Sequence, residues 1–145
     1  MRRFLLLFVA MVGLSWTAVA QEINGGLNLS FPPGTTLFGF SGRYEAPINN
    51  DFKWMVTPGV QFGGGATLIF IQGGAKYTLQ ETPVYFGAEL GPVIGSGGGY
   101  SETKFGFTPT VGYRIDEQWD LSFQLYAGAW STFVGFRFAY VFSKK

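Results

Sequence analysis

The chain has no cysteine and no histidine among its 145 residues. Without cysteine there is no disulfide, no thiolate chemistry and no site for a lipid-modified cysteine. Without histidine the commonest general base and the commonest metal ligand are both missing. Charge is scarce as well: Asp, Glu, Lys and Arg make up 13% of the residues, against roughly 25% in an average soluble domain. The formal net charge is +1, and the body carries no basic run beyond the short Lys144-Lys145 end, so nothing points to a nucleic-acid partner. Past the first twenty residues there is also no apolar run near the roughly 20 residues that a spanning helix needs.

What the chain does have is aromatic residues, at 19%, and 22 glycines. Residues 1–20 read as a cleaved secretory signal. Arg2 and Arg3 form a charged start, residues 4–14 an apolar core, and Ala18-Val19-Ala20 a small-residue cleavage site before Gln21-Glu22. The apolar core is short for a retained membrane anchor. Cleavage there leaves residues 21–145 as one domain and, by removing two arginines, takes the net charge from +1 to −1.

The body alternates. In 52–62, Phe52, Trp54, Val56, Pro58, Val60 and Phe62 fall on one side, and Lys53, Met55, Thr57, Gly59 and Gln61 on the other. Successive side chains of a strand point to opposite faces, so this segment has one oily and one mostly polar face. The same period recurs in 23–31, 37–46, 67–79, 84–94, 105–115, 119–129 and 132–142. A tilted barrel strand crosses the bilayer core in about 9–11 residues. Period, length and recurrence predict an all-β fold, an eight-stranded antiparallel up-and-down transmembrane β-barrel whose outer wall meets outer-membrane lipid.

Turn signals separate the strands: Pro32-Pro33-Gly34, 47–51, Gly63-Gly64-Gly65, 80–83 and 116–118. The stretch 95–104, GSGGGYSETK, is the longest predicted connection. With eight strands both termini share one side. If that side is periplasmic, the fifth connection faces outward, in line with short periplasmic turns and longer outer loops. Tyr44, Tyr77, Tyr113 and Trp119 then flank the inner turns, where amphipathic rings are favoured at the membrane interface.

The polar faces carry Arg43, Glu45, Lys53, Lys76, Glu89, Arg114, Asp120 and Arg137. An eight-stranded barrel is just wide enough for its own side chains to fill it. Facing cations and anions predict a plugged or very narrow interior in which these residues are structural, with a ligand or small-solute path as the alternative. Pro58, Pro92 and Pro109 fall mid-strand on the apolar face. Proline cannot donate to a ladder, so they predict bulges or fewer closed hydrogen bonds.

The segment 108–121, TPTVGYRIDEQWDL, joins a proline, a Gly-Tyr strand end, an acidic turn and a new alternating strand. Gly42-Arg43-Tyr44 and Ala75-Lys76-Tyr77 repeat part of it. In this the chain resembles small bacterial outer-membrane β-barrels of the opacity and OmpA-like porin type. The resemblance implies insertion by the barrel-assembly machinery and no particular activity. It also implies that the last strand, with Phe136, Phe138, Tyr140 and Phe142, carries the assembly signal, although Ser143-Lys144-Lys145 follow where the family typically ends on an aromatic.

Three functions compete. The first is a non-enzymatic integral barrel that serves envelope structure, surface contact or small-solute leakage. The second is an outer-membrane enzyme; small barrels that cut acyl chains or peptides rely on histidine with serine or carboxylates, which this chain cannot assemble. A Glu45 and Glu89 carboxylate pair is more simply read as balancing interior cations. The third is a secreted, soluble lipocalin-like barrel with the faces reversed and an apolar ligand inside. Gly95–Gly99 lacks the Gly-Lys-Ser/Thr and helix of a phosphate loop. No catalytic, metal or cofactor-binding constellation stands out, and no partner for the surface loops is legible.

Overall fold

The computed structural model describes residues 2–8, 22–128 and 132–144. Residues 2–8 form a helix with exposed apolar side chains. No helix among the described residues is long and apolar enough to cross a membrane. The expected cleavage site at Ala18-Val19-Ala20, and Ala129 at the predicted end of the seventh strand, lie outside the described residues.

The alternating segments are strands. They run β1 (Glu22–Phe31), β2 (Leu37–Pro47), β3 (Phe52–Gly63), β4 (Ala66–Thr78), β5 (Val84–Gly97), β6 (Tyr100–Arg114), β7 (Trp119–Tyr126) and β8 (Phe133–Lys144). Each pairs antiparallel with the next, and β8 returns to pair with β1, so the sheet closes on itself. Closure leaves no sheet edge along the wall, the condition for a β-structure to span a bilayer. Glu22 is opposite Lys144, so the start of β1 and the end of β8 lie at one end of the barrel.

That end carries three turns held by side chains. The Asn49 Oδ1 accepts from the backbone N–H of Asp51 and Phe52, each at 2.9 Å. The Asp116 Oδ1 does the same for Gln118 at 2.7 Å and Trp119 at 2.9 Å. Short side-chain acceptors of this kind mimic a backbone turn. Thr82 supplies the third, its hydroxyl donating to the Leu79 carbonyl at 3.2 Å.

The opposite end corrects the sequence reading. Residues 95–104 are not a long loop. β5 continues to Gly97 and β6 begins at Tyr100, directly opposite it, so the connection is Gly98-Gly99 alone. Both have positive φ, 57° and 78°, which a two-residue hairpin turn matched to strand twist requires and glycine supplies without steric cost. Gly64-Gly65 repeats the device between β3 and β4, at φ 57° and 76°. Glycine and small polar residues read locally as loop; cross-strand pairing from both sides makes them strand.

The prolines interrupt ladders without shifting register. Between β2 and β3 pairing lapses opposite Pro58, from Ser41↔Gly59 to Tyr44↔Val56, and resumes in the same register. Between β4 and β5 it lapses around Pro92, from Phe70↔Val93 to Gly73↔Leu90. β6 and β7 pair up to Thr110↔Gln124, and beyond Pro109 only the bridge Phe107↔Ala127 follows. Of the two outcomes the prolines allowed, the structure shows lost pairs and not bulges. The register shift that does occur is elsewhere, where Ile23↔Ser143 gives way to Asn24↔Val141 and Phe142 is left over on β8.

Candidate functional site

Alternation sends the chemistry-bearing side chains into the barrel interior. Among the described residues, eighteen buried positions are polar or charged and only eight are hydrophobic. The outer wall is the reverse. Leu27, Phe40, Ile71, Leu90, Phe107, Val111, Phe123 and Phe138 are each 41–57% exposed. A water-soluble protein hides its apolar residues and shows its charges; this chain is inverted.

Of the eight charged residues placed on the polar faces, Arg43, Glu45, Lys76, Glu89, Asp120 and Arg137 are at most 3% exposed. The Lys53 and Arg114 side chains are 33% and 19% exposed, at the end that holds the termini. The soluble alternative needs this set outside, and the structure places it inside.

The charges are arranged in pairs. At the terminal rim Arg114 holds Glu22, lies 3.4 Å from Asp120, and has Lys53 3.9 Å from the same Glu22. One layer deeper Lys76 donates to Glu45 at 2.6 Å and stands 4.1 Å above the Tyr85 ring, a cation–π contact. The Tyr85 hydroxyl donates to Asp120 at 2.5 Å. Arg43 donates through Nη2 to Glu89 at 2.9 Å and through Nε to the Thr57 hydroxyl at 3.0 Å. Arg137, on β8, has neutral partners: Ser41 Oγ and Asn24 Oδ1, both at 2.7 Å. Asn24 in turn donates to Glu45 at 3.2 Å.

Above these layers the filling is neutral. Ser41 donates to Asn28 at 2.7 Å, Ser30 to Gln61, and Thr108 to Gln72 at 2.9 Å. The Tyr126 hydroxyl donates to Gln124 at 2.6 Å and accepts from Gln61 at 3.3 Å. Each interior carboxylate lies within 4 Å of a cation. Self-neutralised charges fill space and resist removal, because a lone buried charge is costly. One buried cation is left over, Arg137, which is held by Ser41 and Asn24 and has no carboxylate of the described residues within salt-bridge distance. Glu45 and Glu89 answer different cations, Lys76 and Arg43, and do not form a carboxylate pair with each other.

Glu22 was missed by sequence reasoning, which read it only as the residue after the cleavage site. Its parity was the available signal: it falls two before Asn24, on the inward set of β1. The neutral amides and Tyr126 share the inward parity of the charged set, but sequence does not say which polar side chains meet across a barrel.

The aromatics form a collar at the terminal end. Tyr44 packs on Trp54 with ring centroids 5.1 Å apart, and Tyr77 on Phe52 at 5.0 Å. Trp119 stacks on Phe138 at 4.9 Å and meets Tyr140 edge-on at 5.0 Å. Tyr113 is 49% exposed, opposite Val84 near the strand end. On β8, Phe136, Phe138 and Phe142 are on the exposed wall at 43%, 41% and 70%, and Tyr140 is partly covered.

No protein-family model matches the chain, and no curated protein matches it in sequence. Solved structures do match in shape. The Yersinia pestis outer membrane protein Ail, solved in a phospholipid bilayer nanodisc, aligns with TM-score 0.61 at 13% identity, over 86% of this chain and 99% of Ail. A de novo designed barrel, TMB2.3, aligns with TM-score 0.62 at 12% identity, over 88% and 98%. The N-terminal β-barrel domain of Pseudomonas aeruginosa OprF aligns with TM-score 0.56 at 14% identity, over 85% and 97%. The fold is that of a small transmembrane β-barrel. At these identities the likeness carries architecture alone, and a designed barrel among the matches shows that the architecture by itself specifies no activity.

Proposed function

We propose that the chain is an integral outer-membrane barrel, exported by a leader in residues 1–20 that is then removed, and inserted by the barrel-assembly machinery. Its role is structural or surface-contacting, with a sealed interior and no catalysis. The observation that carries this reading is the inverted distribution of side chains: apolar wall, polar and ion-paired filling. Parity puts the start of β1 and the end of β8 on one side, and the two-residue fifth connection removes the loop-length argument for which side that is. With the termini in the periplasm, the Gly64-Gly65 and Gly98-Gly99 hairpins face outward. Ail, by its name an attachment invasion locus protein, has the same barrel, which favours surface contact as the form the role takes. These two hairpin turns are two residues long each, so contact surfaces there would lie on the hairpin tips.

The test is fractionation followed by gel electrophoresis with and without boiling. An outer-membrane pellet and a heat-dependent shift in migration are expected. Recovery as a soluble protein without a shift would reject the membrane reading.

A further inference from the structure

Inward positions of a transmembrane barrel are ordinarily polar. At the end opposite the termini several are apolar. Leu37, Leu68, Phe70, Val93 and Phe133 all occupy inward positions of their strands, and Leu37, Phe70 and Val93 are buried. They line two spaces that share Leu68 and Phe133. The outer is an open cavity of about 320 Å³, walled mainly by Leu37, Ala66, Leu68 and Phe133, with Thr35, Ser96 and Glu102 also on its lining. The inner holds about 30 Å³, room for one water, between Phe70 and Val93 on one side and the amides of Gln61 and Gln72 on the other.

The floor is held in place. Phe133 stacks on Tyr126 at 4.9 Å with 22° between the rings, and the Tyr126 hydroxyl is fixed by Gln124 at 2.6 Å. The mouth therefore cannot relax inward by turning Phe133 without breaking that stack. Below it the amide layer stops an apolar molecule, since passage would strip hydrogen bonds from Gln61 and Gln72. The charge at the rim, Glu102, is paired with Lys104 at 3.8 Å and does not select for an ion.

We propose that this mouth binds one small uncharged hydrocarbon group. An apolar cavity gains nothing from water and accepts such groups. Its volume is that of about ten liquid waters, at the small end of ligand pockets, which occur in the mouths of β-barrels. A free hydrocarbon and the tail of a neighbouring lipid share this chemistry. The inference goes beyond the envelope role, and it concerns the barrel mouth whatever surrounds the wall.

The test uses the full barrel in lipid nanodiscs, with methyl resonances of Leu, Val and Ile followed by NMR as toluene is added. Saturable shifts at Leu37 and Leu68 are expected, against shifts at wall residues Leu27 and Leu90 that grow in proportion to toluene in the lipid. Contacts from lipid chain protons to the Leu37 and Leu68 methyls before toluene is added would identify a lipid tail as the occupant. Their absence, with saturation by toluene, would identify a free hydrocarbon. Leu68→Gln should weaken the saturable binding at least about tenfold while the heat-dependent gel shift is kept. Ala66→Leu, which narrows the mouth without adding a polar group, should do the same and decides the matter if Leu68→Gln does not fold. Neither saturable shifts nor lipid contacts in the wild type, or undiminished binding in Ala66→Leu, would overturn the proposal.

Discussion

Removing one carboxylate from the interior measures how dry the barrel is. Glu89 and Arg43 are both 2% exposed, with 2.9 Å between Oε1 and Nη2. Coulomb's law at that distance gives about 6 kcal/mol at an effective permittivity of about 20, and about 1.4 kcal/mol in bulk water. Glu89→Leu leaves the guanidinium with Thr57 and no anion of its own. In a sealed interior this should cost about 3–5 kcal/mol, the usual penalty for stranding a buried charge. In a water-filled lumen it should cost at most about 1 kcal/mol, as for surface pairs. Replacing both partners, Arg43→Met with Glu89→Leu, removes the stranded charge and should recover most of the loss. The assay is urea unfolding of the four proteins of this cycle in lipid vesicles, followed by tryptophan fluorescence and the heat-dependent gel shift. A single-mutant cost below about 1 kcal/mol, or a double mutant as damaged as the sum of the singles, would refute a plugged interior.

Other expectations test other parts. Leu90→Arg puts a charge on the outer wall at the middle of β5; it should cost about 2–4 kcal/mol in lipid vesicles, whereas a change of about 0.5 kcal/mol or less would mean that the wall faces water. Gly112→Ala places a methyl 1.9 Å from the Tyr85 ring, which lies over that glycine. A loss of about 1–3 kcal/mol is expected in urea unfolding, and a much smaller one when the same change is made in a Tyr85→Ala background; an equal loss there would show that the backbone and not the ring sets the limit. Planar-bilayer recordings of the wild type should show no steady unitary conductance. A large stable conductance would contradict filling by Arg43, Arg137, Tyr126 and their partners.

How much of this was legible in the chain follows from what each feature depends on. Strand parity is local: Lys53 against Trp54, or Arg137 against Phe138, can only point to opposite faces, so the sorting of each strand into two faces needed no coordinates. The bulge at Phe142 and the ladder gaps at Pro58, Pro92 and Pro109 depend on a neighbouring strand, and the residues left both outcomes open. The 95–104 stretch misled because glycine and serine carry no alternation for the eye to follow, while the backbone pairs Gly97 with Tyr100 all the same.

By itself the sequence determined the period, the number of strands and a chain without histidine or cysteine chemistry. Those follow from covalent order and from the two-residue repeat of an extended backbone. Only closure of the sheet decided the rest. It set Lys76 against Glu45 across 31 residues and Arg43 against Glu89 across 46. It drew Glu22 into the rim with Arg114, and gathered Leu37, Leu68 and Phe133 from three separate strands into one apolar mouth. Contacts of that kind depend on the register between strands far apart in the chain, and register belongs to the folded barrel and not to any one segment.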